Sequence, residues 1–252
     1  MNFRLKAFQL HLLASAAILT CVLGALFLGW YHWPGWYLSG ALRVVAMLIG
    51  VDAALGPLLT FVIANPAKPR RELKRDISLI VAVQLIALAY GTATLWNGRP
   101  LYYAFSVNML ELVQASDLDP ADTELARRAH DALAPHWYSL PRWIWAPLPA
   151  DAEEREHIVQ SAITGGADVT AMPSHFRPWR DGAGDLRKQL MPVGDLRFFS
   201  GAEIQRLKRR MGAAGFAAGE RNAIPLMGRG RPLLAVFDRQ TLKLLALIGC
   251  TR

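Results

Sequence analysis

Residues 44–64 have the sequence VVAMLIGVDAALGPLLTFVIA, and residues 65–76 continue it with NPAKPRRELKRD. The first segment is apolar over the roughly 20 residues that a helix needs to cross the hydrocarbon core of a bilayer. It nevertheless contains Asp52 and the pair Gly56-Pro57. The second segment is short and strongly basic, with five Lys or Arg residues against two acidic ones. Together they predict a membrane protein with one ionisable group inside the apolar part of a span.

Three segments of the chain are long and apolar enough to be transmembrane helices, at residues 10–30, 44–64 and 77–96. The sequence therefore predicts a three-helix transmembrane region over residues 1–97. Residues 98–252 are expected to form one external domain, since this length is normal for a domain with its own core.

Charge and aromatic residues predict the same orientation. Short loops rich in Lys and Arg stay in the cytoplasm, and this describes both residues 65–76 and the N-terminus with Arg4 and Lys6. The connection 31–43 then lies outside, where Trp and Tyr are enriched at the membrane interface. The aromatic residues at that interface are Trp30, Trp33, Trp36, Tyr37 and Trp96. We therefore expect a cytoplasmic N-terminus, three crossings and an external C-terminal domain.

Two other interpretations of the first apolar segment are a cleaved signal peptide and a lipoprotein signal that ends at Cys21. The apolar run continues through VLGALFLGW at residues 22–30, and Leu19-Thr20 fits lipoprotein processing poorly. An uncleaved first span is therefore favoured. Cys21 lies inside a span and is not expected to meet the second cysteine, Cys250, so no disulfide is predicted inside the external domain. Cys250 is either paired between chains or, as favoured, a small apolar residue at a strand end.

The net charge of +8 does not indicate nucleic-acid binding. Residues 1–96 contain eight Lys or Arg residues and only three acidic ones. Most of the excess positive charge therefore flanks the spans and reflects the orientation of the chain in the membrane. We predict a protein that associates with a membrane and not with nucleic acid.

The external domain is predicted to be α+β, with a mainly antiparallel sheet and three or four helices. Alternating apolar residues over 101–109 predict a strand. Three helix starts are predicted from N-cap residues and capping boxes, at Asp119, Asp151 and Ser200. Three apolar runs end the chain, and the tight turn at 238–240 predicts a β-hairpin between the last two.

Several segments, spread over most of the chain, resemble in sequence and in order the segments of a known protein family. They are GVDAALGPLLTFVI at 50–63, the basic loop at 65–76, DISLIVAVQLIALAYG at 76–91, RPLYYAF at 99–105, GGADVTAMPSHFRPW at 165–179 and IPLMGRGRPLLAVFDRQT at 224–241. This order resembles the TfpX/TfpZ family of type IV pilin accessory proteins. The resemblance implies an inner-membrane protein with N-terminal spans and a periplasmic domain, which acts on the stability or assembly of a type IV pilin. It implies no catalytic residue.

The sequence contains no recognisable catalytic motif. None of its six histidines belongs to a metal-ligand pair of the HExxH kind, and no GxSxG, Walker or dinucleotide-binding motif is present. A membrane aspartyl peptidase needs two carboxylates at one site. Asp52 lies roughly 18 Å of helix from the inner end of its span, whereas Asp76 lies at the inner surface. We therefore predict no enzyme, no metal site and no cofactor.

Asp52 is the residue that most needs a partner. A charge at mid-membrane costs several kcal/mol, so such residues usually face another polar group. One explanation is a hydrogen bond inside the three-helix bundle. Tyr90 and Thr20, roughly 20 and 15 Å into their spans, bracket the depth of Asp52. The other explanation is a polar group on the membrane helix of a pilin.

The pair Gly56-Pro57 predicts a bend beside Asp52. Pro57 cannot donate a backbone hydrogen bond to Ala53, and the freed carbonyl lies in apolar surroundings. The bend is either an ordinary kink of a membrane helix or a groove into which another helix packs. In the second case, Gly50 and Gly56 allow close approach of that helix.

The sequence thus predicts a non-catalytic accessory factor for type IV pilus assembly in the bacterial inner membrane, which stabilises or presents the pilin subunit. The spans are expected to contact the pilin's membrane helix, and the external domain its globular head. The candidate contact or bundle-polar residues are Asp52, Gly56, Pro57 and Tyr90. Two other classes stay open: a membrane-anchored structural or sensory module of another envelope complex, and a membrane enzyme with an unrecognised external site.

Overall fold

The computed structural model of the chain describes residues 3–249, which form two compact units. Residues 3–32 and 41–98 make the first unit, and residues 33–40 and 99–249 make the second. Cys250, which was predicted at a strand end, lies outside the described residues.

The first unit consists of three long apolar helices in the described part of the chain. Helix α1 spans Phe3–Gly29, and helix α5 spans Arg70–Asn97. Between them, α3 at Ala41–Leu48 and α4 at Gly56–Ile63 are joined into one helix by a π turn at Ile49–Leu55. Each of the three long helices has the length and apolar composition to cross a membrane. The prediction of three such helices is confirmed.

A close approach between α3 and α5 depends on a glycine. A Cβ atom at Gly91 would lie less than 3.0 Å from the side chain of Leu48, which is buried. The absence of a side chain at Gly91 therefore lets the second long helix pack directly on α5. The Tyr31 hydroxyl also donates to the Leu95 carbonyl oxygen at 2.7 Å, so the residues after α1 are bound to the end of α5.

The second unit is built on a mixed sheet. In the described residues its strands are β1 Pro100–Ser106, β2 Met109–Gln114, β3 Arg142–Trp145, β4 Arg177–Pro178, β5 Ala223–Met227, β6 Leu233–Phe237 and β7 Leu244–Gly249. Their order is β4-β3-β1-β2-β5-β6-β7. Strand β1 pairs with β3, and β2 with β5, in parallel, whereas the other neighbours are antiparallel.

The expectation of a mainly antiparallel sheet is not confirmed, because the sheet contains both kinds of pair. Tight turns impose antiparallel neighbours, as between β1 and β2. Long connections through helices bring β3 beside β1 and β5 beside β2 in the parallel direction. Apolar periodicity predicts that a segment is a strand, but it carries no information on the direction of its neighbour.

Four helices accompany the sheet within residues 99–249, and they are α6 Pro120–Arg128, α7 Ala152–Ile163, α8 Ala183–Gln189 and α9 Gly201–Ala213. The three predicted helix starts are confirmed. Asp119, Asp151 and Ser200 are N-caps, and each side chain accepts a hydrogen bond from the backbone N–H three residues further on. The predicted terminal hairpin is confirmed by the antiparallel pairing of β6 with β7.

Apolar side chains form a core on both faces of the sheet. Alternate residues of β6 enter two different clusters: Leu233, Ala235 and Phe237 enter the first, and Leu234 and Val236 enter the second. Helix α8 contributes to the first cluster and α9 to the second. Strand β6 is therefore covered on both faces, which explains why its sequence is a continuous apolar run.

Residues 33–40, which include the short helix α2 at Gly35–Leu38, are packed into this core. The Leu38 side chain is fully buried in the first cluster. Its carbonyl oxygen accepts a hydrogen bond from the Gly230 N–H at 2.5 Å. From the sequence, this segment was predicted to connect two spans and to place aromatic side chains at the outer membrane interface. The structure shows that it is part of the second unit.

Glu111 on β2 is a largely buried carboxyl group of the second unit. Burial raises its pKa, a hydrogen bond from the Thr170 hydroxyl opposes this effect, and the nearby charges of Asp168 and Asp117 raise the pKa further. The folded protein therefore holds this proton more tightly than the unfolded chain does. As the pH rises from the unfolded-state pKa, roughly 4.3, through the folded-state pKa, the free energy of unfolding decreases.

We expect Glu111→Gln to raise the thermal unfolding midpoint of the detergent-solubilised protein at pH 7 by a few degrees. The amide has no charge to desolvate, and its oxygen can still accept the Thr170 hydrogen bond. The same variant should flatten the decrease in the midpoint above pH 4, measured by circular dichroism. Glu156→Gln, at an exposed position of α7, is the matched control. A midpoint that falls at pH 7 would contradict the prediction.

Candidate functional site

The second long helix changes its hydrogen-bond register beside Asp52. In the π turn Ile49–Leu55, the Gly56 N–H donates to the carbonyl oxygen of Val51, five residues back. The next residue, Pro57, has no N–H to donate. The carbonyl oxygen of Asp52 is therefore left without a donor from its own helix. Such π turns inside α-helices occur frequently at functional sites.

Gln84 of α5 supplies the missing donor. Its Nε2 donates to the Asp52 carbonyl oxygen at 3.1 Å in a buried position. Gly56 makes this possible, because a Cβ atom there would lie less than 3.0 Å from the Gln84 side-chain amide. The sequence predicted the freed carbonyl at Ala53, whereas the side-chain donor is bound one residue earlier. Gly50 has open space where a Cβ atom would lie.

The side chains of Asp52 and Gln84 line a cavity in the first unit. Asp52 is 4% exposed and Gln84 is 7% exposed. Within residues 3–249, neither Asp52 Oδ2 nor Gln84 Oε1 has a hydrogen-bond partner. The cavity has a volume of about 100 Å³, and its remaining lining is apolar apart from His11 and Ser15 of α1. Buried acceptors without a partner are costly and uncommon, so this cavity is the candidate site.

A second polar contact joins two of the helices next to this cavity. His11 Nδ1 lies 2.6 Å from the Thr60 hydroxyl, so α1 is bound to α4. Neither His11 nor Gln84 was predicted from the sequence, where a histidine was expected to matter only as a metal ligand. The signal that could have found both is their position as polar residues inside otherwise apolar spans.

Tyr90 is not brought to this cluster. Its side chain is 75% exposed on the surface of α5, and Thr20 is also exposed on α1. Tyr90 follows Gln84 by six residues, which is a rotation of about 240° at 3.6 residues per turn. It therefore projects from a different face of α5 than Gln84 does, and its depth along the helix axis does not bring it to Asp52. A contact between Tyr90 and a partner stays a prediction.

We expect Gly56→Ala to destabilise the helix unit by about 1–3 kcal/mol. The added methyl group displaces the Gln84 amide, which leaves the Asp52 carbonyl oxygen buried without a donor. The loss of stability is measured as a lower thermal unfolding midpoint in detergent micelles. Gly50→Ala in the same long helix is the matched control, since nothing lies within 4 Å of its Cβ position. Equal midpoints for the two variants would show that the hydrogen bond from Gln84 contributes nothing to the stability of the helix unit.

The second unit contains a larger depression of about 520 Å³, lined by residues 215–217, 219–222 and 237–239 and by Leu245. Its lining includes no Ser, Cys, His or Lys residue. The Asp238 carboxylate accepts hydrogen bonds from Thr241 and Gln240 of the hairpin turn, and these bonds lower its pKa. This carboxylate is therefore a turn cap. Among the described residues, no group of three or more His, Cys, Asp or Glu is placed to hold a metal ion.

Comparison with known proteins finds relatives that are named fimbrial assembly proteins. The chain is 28% identical over 194 residues to the fimbrial assembly protein of serogroup I from Dichelobacter nodosus, covering 76% of this chain and 73% of that protein. The serogroup E1 protein of the same organism has the same identity and coverage. The protein of serogroups C1 and C2 is 31% identical over 116 residues, covering 46% of this chain and 88% of that protein. No family model and no solved structure matches the chain.

Proposed function

Because this chain belongs to the family of the fimbrial assembly proteins, we propose that it is an accessory factor for type IV pilus assembly. The names of the relatives state a role in fimbrial assembly and describe no reaction. This membership agrees with the resemblance to pilin accessory proteins found in the sequence. The proposed role is non-catalytic: the chain stabilises or presents a pilin subunit.

In this proposal the three long helices cross the bacterial inner membrane. The N-terminus and residues 65–76 are cytoplasmic, and the second unit is periplasmic. The length and apolar composition of the helices support a membrane location. The cluster of basic residues before and within the first turns of α5 supports the orientation, because such clusters stay in the cytoplasm.

The observation that carries the proposal is the buried Asp52 carboxyl group, which has an oxygen without a partner at the cavity of the first unit. A polar group at this depth is expected to face a partner. The surrounding helix surfaces are apolar and exposed, as at Met47, Leu58 and Val62. Such surfaces suit contact with the apolar membrane helix of a pilin.

An exposed aromatic surface supports a contact between the second unit and the globular head of the pilin. Trp137 is 70% exposed and Tyr138 is 59% exposed, and their rings meet edge to face. The loop before β3 is braced, since Arg127 donates to the Pro135 carbonyl oxygen at 2.8 Å and Arg142 donates to that of Leu133 at 2.7 Å. Exposed Trp and Tyr side chains on a braced loop are typical anchors of protein interfaces.

The proposal is tested by copurification of the full chain with membrane-embedded pilin and by site-specific photocrosslinking. A crosslinking residue at Met47 or Leu58, both exposed on the second long helix, should capture pilin. The same residue at the buried position Leu48 is the control and should not. Deletion of the protein should lower pilin abundance and surface piliation. Unchanged pili, or crosslinks to a different envelope protein alone, would overturn the proposal in favour of another envelope complex.

A further inference from the structure

Two acceptor oxygens without partners line one cavity in the helix unit. They are Asp52 Oδ2 and Gln84 Oε1, and both side chains are more than nine-tenths buried. When Asp52 is ionised, neither oxygen can donate, since a carboxylate and an amide oxygen only accept. An occupant that pairs with both oxygens must then supply the hydrogen-bond donors. A group with a positive charge fits best, because it also neutralises the carboxylate in apolar surroundings.

Most of the cavity lining is apolar. Ile18, Val81 and Leu85 belong to it and are also exposed on the helix surface. Side chains exposed there face hydrocarbon when the helices cross a membrane. An occupant that enters past these side chains needs an apolar body and a polar end.

The depth of the cavity restricts the source of that polar end. Asp52 lies halfway along the helix Ala41–Ile63, so about 17 Å of helix separates it from either end at 1.5 Å per residue. Lipid headgroups lie outside the hydrocarbon core, which is about 30 Å thick, and do not reach this depth. A side chain on another apolar helix does.

We propose that the cavity binds a protonated amine carried by an apolar partner helix. The ammonium group donates to Asp52 Oδ2 in a charge-assisted hydrogen bond and to Gln84 Oε1 in a second bond. A volume of about 100 Å³ holds an ammonium group with its terminal methylene, or about three water molecules at 30 Å³ each. This inference rests on the proposed function, because it names the chemistry that the partner helix brings to the same site.

The test uses the full chain in lipid nanodiscs and three synthetic membrane helices of Leu and Ala. The helices differ only in a central Lys, Gln or Leu residue, and association is measured by energy transfer between fluorescent labels. The Lys helix should associate at least tenfold more tightly than the Leu helix. Asp52→Asn should abolish this difference, whereas Asp76→Asn, the matched change at the start of α5, should preserve it.

A second variant separates binding from folding. Ser15→Leu fills the cavity from α1 and leaves Asp52 and Gln84 in place, and it should also abolish the preference for the Lys helix. The proposal is overturned if the Lys and Leu helices associate equally, if the Gln helix matches the Lys helix, or if Asp52→Asn with an unchanged unfolding midpoint keeps the preference. Each of these results leaves pilin copurification as an independent test, so failure here is distinguishable from failure of the proposed function.

Discussion

Protein in which Gly230 is replaced by Ala is expected to lose the packing of residues 33–40 into the second unit. A Cβ atom at Gly230 would lie less than 3.0 Å from the carbonyl oxygens of Tyr37 and Leu38. These are backbone atoms and cannot move without displacing the segment. The variant therefore loses the Gly230 N–H bond to Leu38 and the burial of the Leu38 side chain. The combined cost is more than about 3 kcal/mol.

The release of residues 33–40 from the second unit is measured in two ways. The thermal unfolding midpoint in detergent should fall, and chymotrypsin should cleave after Trp36 or Tyr37, which become accessible. Gly219→Ala in the same unit is the control, because nothing lies within 4 Å of that Cβ position. Resistance to chymotrypsin equal to that of the unchanged protein would refute the account of how residues 33–40 are held.

Asp52→Asn is expected to lower the amount of pilin that copurifies with the protein at least about tenfold, because a hydrogen bond to a charged group contributes about 1.5–3 kcal/mol. The substitution keeps the shape of the side chain, and the backbone carbonyl that Gln84 binds is unchanged. The abundance of the protein itself should therefore stay close to normal. Pilin and the protein are quantified by immunoblot in membranes that contain both.

Two further variants show whether a loss of copurified pilin is due to the charge of Asp52. Asp76→Asn changes an acid of the same helix unit that pairs with Lys68, and it should leave pilin recovery unchanged. Asp52→Leu removes the polar group altogether. If Asp52→Asn leaves pilin levels and piliation unchanged while Asp52→Leu destabilises the protein, the carboxyl group is structural and recognition by charge is wrong.

Much of the fold could be predicted because it depends on neighbouring residues in the chain. Asp119, Asp151 and Ser200 start helices through hydrogen bonds to backbone groups three residues away, and this spacing is visible in the sequence. The three long helices follow from length and apolar composition. The hairpin of β6 and β7 follows from apolar runs on either side of a polar turn.

The candidate site was predictable only in part. Asp52, Gly56 and Pro57 stand out in the sequence because a carboxyl group and a proline are rare inside an apolar span. Gln84 was missed, since its role depends on a π turn that shifts one backbone hydrogen bond by one residue. Tyr90 was selected by its depth alone, but the face on which a side chain lies depends on the rotation of the helix, which advances about 100° per residue.

The order of amino acids is enough to identify the segments that are apolar and long enough to cross a membrane, the residues at which most helices begin, and the acid that lies inside a span. These properties depend on composition and on spacings of a few residues. The three-dimensional structure was needed to show that Gln84 meets Asp52, that residues 33–40 enter the core of the second unit through Leu38, and that the sheet is mixed. Those features join residues far apart in the chain, and they depend on helix rotation, register and strand direction, which no local pattern specifies.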